Sequence, residues 1–204
     1  MRFFAILSTA ACLALSLAAS ASLAATLQVD LQDSSGRPLT DGVIFLESRD
    51  AKAASKPAIG VEVAQVSKQF APQVNVITVG TAVQFPNRDS VRHHVYSFSA
   101  IKNFELKLYV GTPAAPVVFD KPGIAVLGCN IHDAMAAWMV VVETPYYGRS
   151  PIGGHITLEN VPPGAYRLRA WHPGLPVGAP ALDQALTLAP AGSSTTIKLP
   201  VTAL

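Results

Sequence analysis

Ile124-Ala-Val-Leu127-Gly-Cys129-Asn-Ile-His132-Asp-Ala-Met135 begins as a short apolar strand and ends in a loop carrying a thiol, an imidazole and a thioether at three-residue intervals. Upstream, Asn87-Arg-Asp-Ser-Val-Arg-His93-His94 places two more imidazoles directly before the strand Val95-Tyr-Ser-Phe98. Donors of this kind, gathered at strand ends, are metal ligands in waiting. Any one of them alone would be ordinary, since a single cysteine at a strand end is usually a small buried hydrophobe. Their regular spacing lifts the group above that.

Outward from this segment the pattern stays one of short strands. Val61-Glu-Val, Val74–Val79, Val83-Gln-Phe85, Phe104–Tyr109, Val117-Val-Phe119 and Met139–Val142 are separated by Gly80-Thr, Pro86-Asn-Arg-Asp, Gly111-Thr-Pro and Asp120-Lys-Pro-Gly123. Turn residues at such intervals predict an all-β sandwich. Tyr96, Phe98, Phe104, Tyr109 and Phe119 are its expected core aromatics, with Met139 beside them. Residues 50–57 lack any large apolar residue and are expected to be an exposed linker. Strands at Thr26–Gln32 and Val43–Leu46 precede it, and His155–Glu159, Tyr166–Trp171 and Thr195–Leu199 follow the central segment. Two strands left alone would be marginal. The two ends are therefore expected to join as one second, small β-sandwich with the central segment inserted between them, with two independent flanking pieces as the alternative.

The first 24 residues read as a signal peptide: Met1-Arg2, an apolar run from Phe3, then a small-residue zone, with cleavage after Ala24 and Ala21 as the competing position. Cys12 lacks the large aliphatic residue expected three positions before a lipidated cysteine. The expected organisation is thus a leader over 1–24, flanking segments over 25–57 and 145–204, and a central domain over 58–144. Export to the periplasm follows, and no later stretch is apolar enough to span a membrane. Only 14% of residues are charged, and the basic ones form no stripe, which argues against a nucleic-acid partner. Loss of the leader removes Cys12 and leaves Cys129 as the single thiol of an exported chain. A thiol in an oxidising compartment needs burial, a partner or a metal.

Cysteine, two histidines and a methionine make up the donor set of a blue-copper site, in which thiolate and imidazoles form a trigonal plane and a thioether binds weakly along the axis. The chain resembles the cupredoxins. The intervals from Cys129 to His132 and from His132 to Met135 are most similar to those of amicyanin, as is the six-residue step from Asn87 to His93. More closely, residues 61–145 are similar to plastocyanin-like periplasmic proteins of the methylamine-utilisation type. That resemblance implies a Greek-key sandwich and a single type 1 copper ion. It implies His93, Cys129 and His132 as equatorial ligands and Met135 as the axial one, with Asn87 and Asn130 bracing the ligand loops. One departure is that amicyanin has prolines inside the copper loop, where this chain has Ile131 and Asp133. The flanks, through Asp33–Leu46 and Leu158–Trp171, resemble a carboxypeptidase-regulatory or transthyretin-like sandwich.

His93 and His94 are neighbours on one strand and should face opposite sides, so one of them points to the metal. The interval from Asn87 favours His93, with His94 either near the surface or, as the alternative, the ligand in place of His93. His155 and His172 are expected to be solvated or bonded to backbone, and Trp138 to support the copper loop or the core. No nucleophile with its base, phosphate loop or hydrolytic zinc pair is evident, so the chain is expected not to be an enzyme. The expected role is one-electron transfer to a transient redox protein partner by a monomer. Electrons would leave through His132 beside the small residues Ala134, Ala136 and Ala137. Copper binding or delivery is the alternative.

Overall fold

The apolar run 136–142 has no polar alternation, because both faces of its strand are covered. Ala137, Met139 and Val141 enter one core, while Val140 and Val142 enter another, with Trp138 packed against it. This doubly buried strand organises the protein. The computed structural model describes residues 24–201. The leader expected over residues 1–24 lies, apart from Ala24, outside the described residues.

In chain order the elements begin with β1 (Ala25–Gln32), β2 (Val43–Glu47), the helix α1 (Arg49–Ala54), β3 (Val61–Glu62), β4 (Ala64–Val66) and β5 (Gln69–Ala71). They continue with β6 (Val74–Thr78), β7 (Thr81–Gln84), β8 (His93–Ser99), β9 (Lys102–Tyr109), β10 (Val117–Phe119) and β11 (Gly123–Gly128). The last are β12 (Ala136–Val142), β13 (Tyr147–Arg149), β14 (His155–Val161), β15 (Gly164–Trp171), β16 (Leu182–Leu188) and β17 (Ser193–Lys198). Among the described residues no helix is long and apolar enough to cross a membrane.

The central segment builds a five-stranded sheet, β6-β12-β11-β8-β9, and a three-stranded sheet, β10-β7-β3. Phe85, Phe119, Leu127, Ile77 and Met139 are all buried in the core of this segment. The result is an all-β, multi-sheet, cupredoxin-like topology. In the flanks, β1 lies between β14 and β17, and β2 lies between β13 and β15, so each N-terminal strand pairs with strands from beyond residue 145. Leu27, Val29, Leu31, Ile44, Leu46, Leu168 and Ile197 belong to one buried cluster there. A third cluster joins the two regions, with Val43, Phe45 and Trp171 meeting Val74, Val140 and Val142.

Three expectations are corrected. The linker over 50–57 begins as helix α1, because Ala51, Ala53 and Ala54 are strong helix formers and the Ser48 hydroxyl accepts the Ala51 N–H at 3.0 Å as an N-cap. Phe98 is 74% exposed: the alternation of β8 turns Val95 and Ser97 inward and leaves Phe98 outside, stacked on Tyr96 at 5.1 Å. Ala137, expected at a docking surface, is fully buried because it begins the inward face of β12.

Candidate metal centre

Strand β11 delivers Cys129 at its end, and the turn that follows carries His132 back over it, with the Met135 N–H closing on the His132 carbonyl at 2.9 Å. Strand β8 brings His93 from the neighbouring position in the same sheet, where Gly128 pairs with Tyr96. Gly128 is needed there, since a Cβ would lie 2.6 Å from the Tyr96 ring. One ligand atom from each of His93, Cys129 and His132 lies within 4.8 Å of the others. Both imidazoles present Nδ1 to the Cys129 sulfur at 3.9 Å, and the two rings are tilted 55° with centroids 4.9 Å apart.

Bonds of about 2.3 Å to thiolate sulfur and about 2.0 Å to imidazole nitrogen, taken at 120°, would separate the two donor atoms by about 3.7 Å. The observed spacing therefore suits one ion set among the three donors. Met135 is buried and lines the same surface hollow as Cys129, a space of about 590 Å³ that Tyr96, Phe98 and Asp133 also border. His132 is half-buried, whereas His93 is fully enclosed.

The His93 ring is oriented from behind. Asp89 Oδ2 lies 2.7 Å from His93 Nε2, while the same carboxylate accepts the Ser67 and Lys68 N–H groups at 2.7 and 2.9 Å. The Lys68 N–H, with help from His93 and Ser67, holds the Asp89 carboxyl below the usual carboxylate range despite its partial burial. An ionised carboxylate only accepts, so Nε2–H is the donor to Asp89, and Nδ1 is the ring nitrogen turned to the sulfur. A carboxylate behind a histidine is the kind of partner that orients metal-ligating imidazoles. Asp89 was not singled out from sequence, although an acid four residues before a candidate ligand was the available signal. Its partners come from the β4–β5 turn, where Ser67 and Lys68 have positive φ and no Gly or Asn marks the site.

Asn87 braces the loop as the resemblance implies: its Nδ2 donates to the Val91 and Tyr109 carbonyls at 2.8 Å, and its Oδ1 accepts the Asp89 N–H. Asn130 does not. It is exposed and makes no side-chain hydrogen bond among the described residues. His94 is buried rather than near the surface, because the pairing of β8 with β9 shifts register between His93 and Val95, and its Nε2 meets Glu105 at 2.8 Å. His155 bonds Asp30, and His172 reaches the Thr40 carbonyl, so both lie outside the cluster. Trp138 sits on the far face of β12, against Trp171.

Tyr109 ties the site's floor together, donating its hydroxyl to the Phe85 carbonyl at 2.7 Å and accepting from Gln65 Nε2. Burial pushes its phenol up to about 12 from an ordinary 10.0. The unfolded chain releases this proton first, so the stability is intact below pH 10 and falls as pH rises toward about 12. Thermal melts across that range should show the decline, and Tyr109→Phe should flatten it while lowering stability at neutral pH.

No family model and no curated protein matches the chain. Among solved structures, a purple cupredoxin from Nitrosopumilus maritimus matches at 21% identity over 40% of this chain and 99% of its own, with TM-score 0.36. A Cu-containing nitrite reductase from Thermus scotoductus SA-01 matches at 27% identity over 45% of this chain, with TM-score 0.38; the match spans 26% of that protein. A point mutant of amicyanin with Cu(I) matches at 18% identity over 48% of this chain and 98% of its own, with TM-score 0.37. Each resembles this chain in cupredoxin-like fold over less than half its length. The geometry of the three donors, rather than these likenesses, is the basis for assigning the site a role.

Proposed function

We propose that the chain is a type 1 copper protein of the periplasm that carries single electrons. The carrying observation is the trio His93, Cys129 and His132, with both Nδ1 atoms 3.9 Å from the one sulfur. Thiolate and imidazole together suit copper in both oxidation states, and bound copper supplies a one-electron couple. The chain's own contribution is rigidity. Asp89 and Asn87 hold His93 in place, the hydrogen bond from Met135 N–H to the His132 carbonyl closes the loop, and the Met135 sulfur would be the fourth, weaker donor. Donors held this firmly would let the oxidation state change with little movement of the ligands, and four protein donors would leave no position for a substrate. On this reading the chain is not an enzyme.

His132 is the proposed exit for the electron. Ile131, 48% exposed, and the exposed Ala134 flank it and offer a small apolar contact to a transient redox protein partner. The flanking strands are proposed to form a second, transthyretin-like sandwich over 25–57 and 145–204, which anchors the copper domain without contributing a ligand. The leader is assigned to export, and the protein to a monomeric state.

Copper delivery is the second reading, favoured by the partial exposure of His132 at the loop surface. Retention separates the two. Loaded protein challenged with a copper(II) chelator, and after reduction with a copper(I) chelator, should keep its metal in both states. Ready surrender of copper in either one would favour delivery.

A further inference from the structure

Between β15 and β16 the chain runs through residues 173–181, where Pro173, Pro176 and Pro180 alternate with small residues and leave few backbone donors. Among the described residues its backbone bonds stay local: Leu175 N–H donates to the His172 carbonyl at 3.0 Å, and Ala179 N–H to the Pro176 carbonyl at 2.9 Å. At the far end the Ala181 carbonyl accepts a long bond of 3.5 Å from Arg169. Leu175 packs against the buried clusters, whereas Val177 is 86% exposed. Val177 nevertheless borders two hollows, the one beside Cys129 and Met135 and a cavity of about 520 Å³ at Trp138 and Trp171. Ser99 and Val126 also line both, so this weakly fastened segment stands on a rim that the two spaces share.

The segment is tied at its base by the His172 side chain. Nε2 lies 3.0 Å from the Thr40 carbonyl, and the Gly174 N–H donates to Nδ1 at 2.9 Å. A carbonyl only accepts and a backbone N–H only donates, so both bonds are made together by the neutral ring with its proton on Nε2. Glycine permits the approach, since a Cβ at position 174 would stand 3.0 Å from Nδ1 and 3.3 Å from Cε1. A proton added at Nδ1 would face the Gly174 N–H with a second donor and break that bond. Burial holds the ring below its ordinary 6.5, and the Thr40 carbonyl and the Asp41 charge act in the opposite sense. Asp41, from the β1–β2 connection, is itself paired with Arg149 of β13 at 3.6 Å; Thr40, Gly174 and Val201, the other neighbours, carry no charge.

We infer that His172 is a proton-operated latch for residues 173–181: the neutral ring pins the segment at the rim of the hollow beside Cys129 and Met135, and the protonated ring lets it swing away. The folded value lies below the unfolded 6.5, so the latch is whole above pH 6.5 and is lost as pH falls through the lower folded value. Acid therefore opens the rim. The proton is taken up at a residue that is neither a donor of the metal centre nor in contact with one, and release moves Val177, which borders both spaces.

Nuclear magnetic resonance of the isotope-labelled full chain without added metal reads the latch at its own atoms. From about pH 8 to about pH 5, a span around the ordinary histidine value, protection of the Gly174 amide against hydrogen exchange should fall about tenfold, as loss of one hydrogen bond allows. The Val177 methyl signals should shift with the same midpoint as the His172 ring. In His172→Gln, which does not titrate, Gly174 protection should be independent of pH whatever its level. Gly174 protection unchanged across the span in the native chain, an equal loss in His172→Gln, or Val177 signals that do not follow the His172 midpoint would overturn the assignment. The native chain decides the matter even if His172→Gln does not fold.

Discussion

Given one equivalent of copper(II), the protein should develop an intense visible absorption that the Cys129→Ser variant lacks entirely. The band arises from charge transfer out of a thiolate, and Cys129 is the only thiol among the described residues. Serine offers a hard oxygen of much higher pKa in the same position, so the colour should vanish rather than weaken. The fold should survive the change. The core around the site is built by Phe85, Phe119, Leu127 and Met139, and exchange of one sulfur for oxygen at a buried strand end removes little of that packing. Far-ultraviolet circular dichroism recorded beside the absorption spectrum separates loss of ligand from loss of fold. Colour retained in the serine variant would exclude Cys129 as the thiolate.

The second large effect is expected at a residue that touches no metal. Asp89→Ala should lower copper affinity by about 10–100-fold, the usual cost of removing a group that orients a ligand histidine. Without the carboxylate, His93 is free to carry its proton on Nδ1, which would turn an N–H toward the sulfur in place of a lone pair. The Ser67 and Lys68 N–H groups also lose their acceptor, so part of the effect could be a loosened β4–β5 turn. Thermal melting of the metal-free protein distinguishes the two causes. Affinity lost with unchanged melting would place the effect at His93, and affinity lost together with a lowered melting temperature would place it in the turn. Unchanged affinity would detach Asp89 from the centre.

Much of the site was legible in the chain because it is local. Cys129 and His132 are three residues apart on one turn, and His93 follows from the step after Asn87 together with strand alternation. The all-β character was legible from β-branched runs broken by Gly and Pro. What escaped was set by distant partners. Asp89 matters through a turn at Ser67–Lys68 whose residues carry no turn signature, and the burial of His94 depends on a register shift between β8 and β9. An aromatic residue on a strand signals a core only when its face is known, and for Phe98 the inward face of β8 is settled by Val95 and Ser97. The helix at Arg49–Ala54 is hard to read for a related reason. Six residues give too little periodicity to read, and a Ser48 cap with one buried alanine suffices to form it.

Whether the centre passes an electron is tested most directly by voltammetry of the copper-loaded protein over repeated cycles. The account predicts a reversible one-electron wave whose amplitude persists, with copper content unchanged at the end. An irreversible wave, with copper released on reduction, would contradict it.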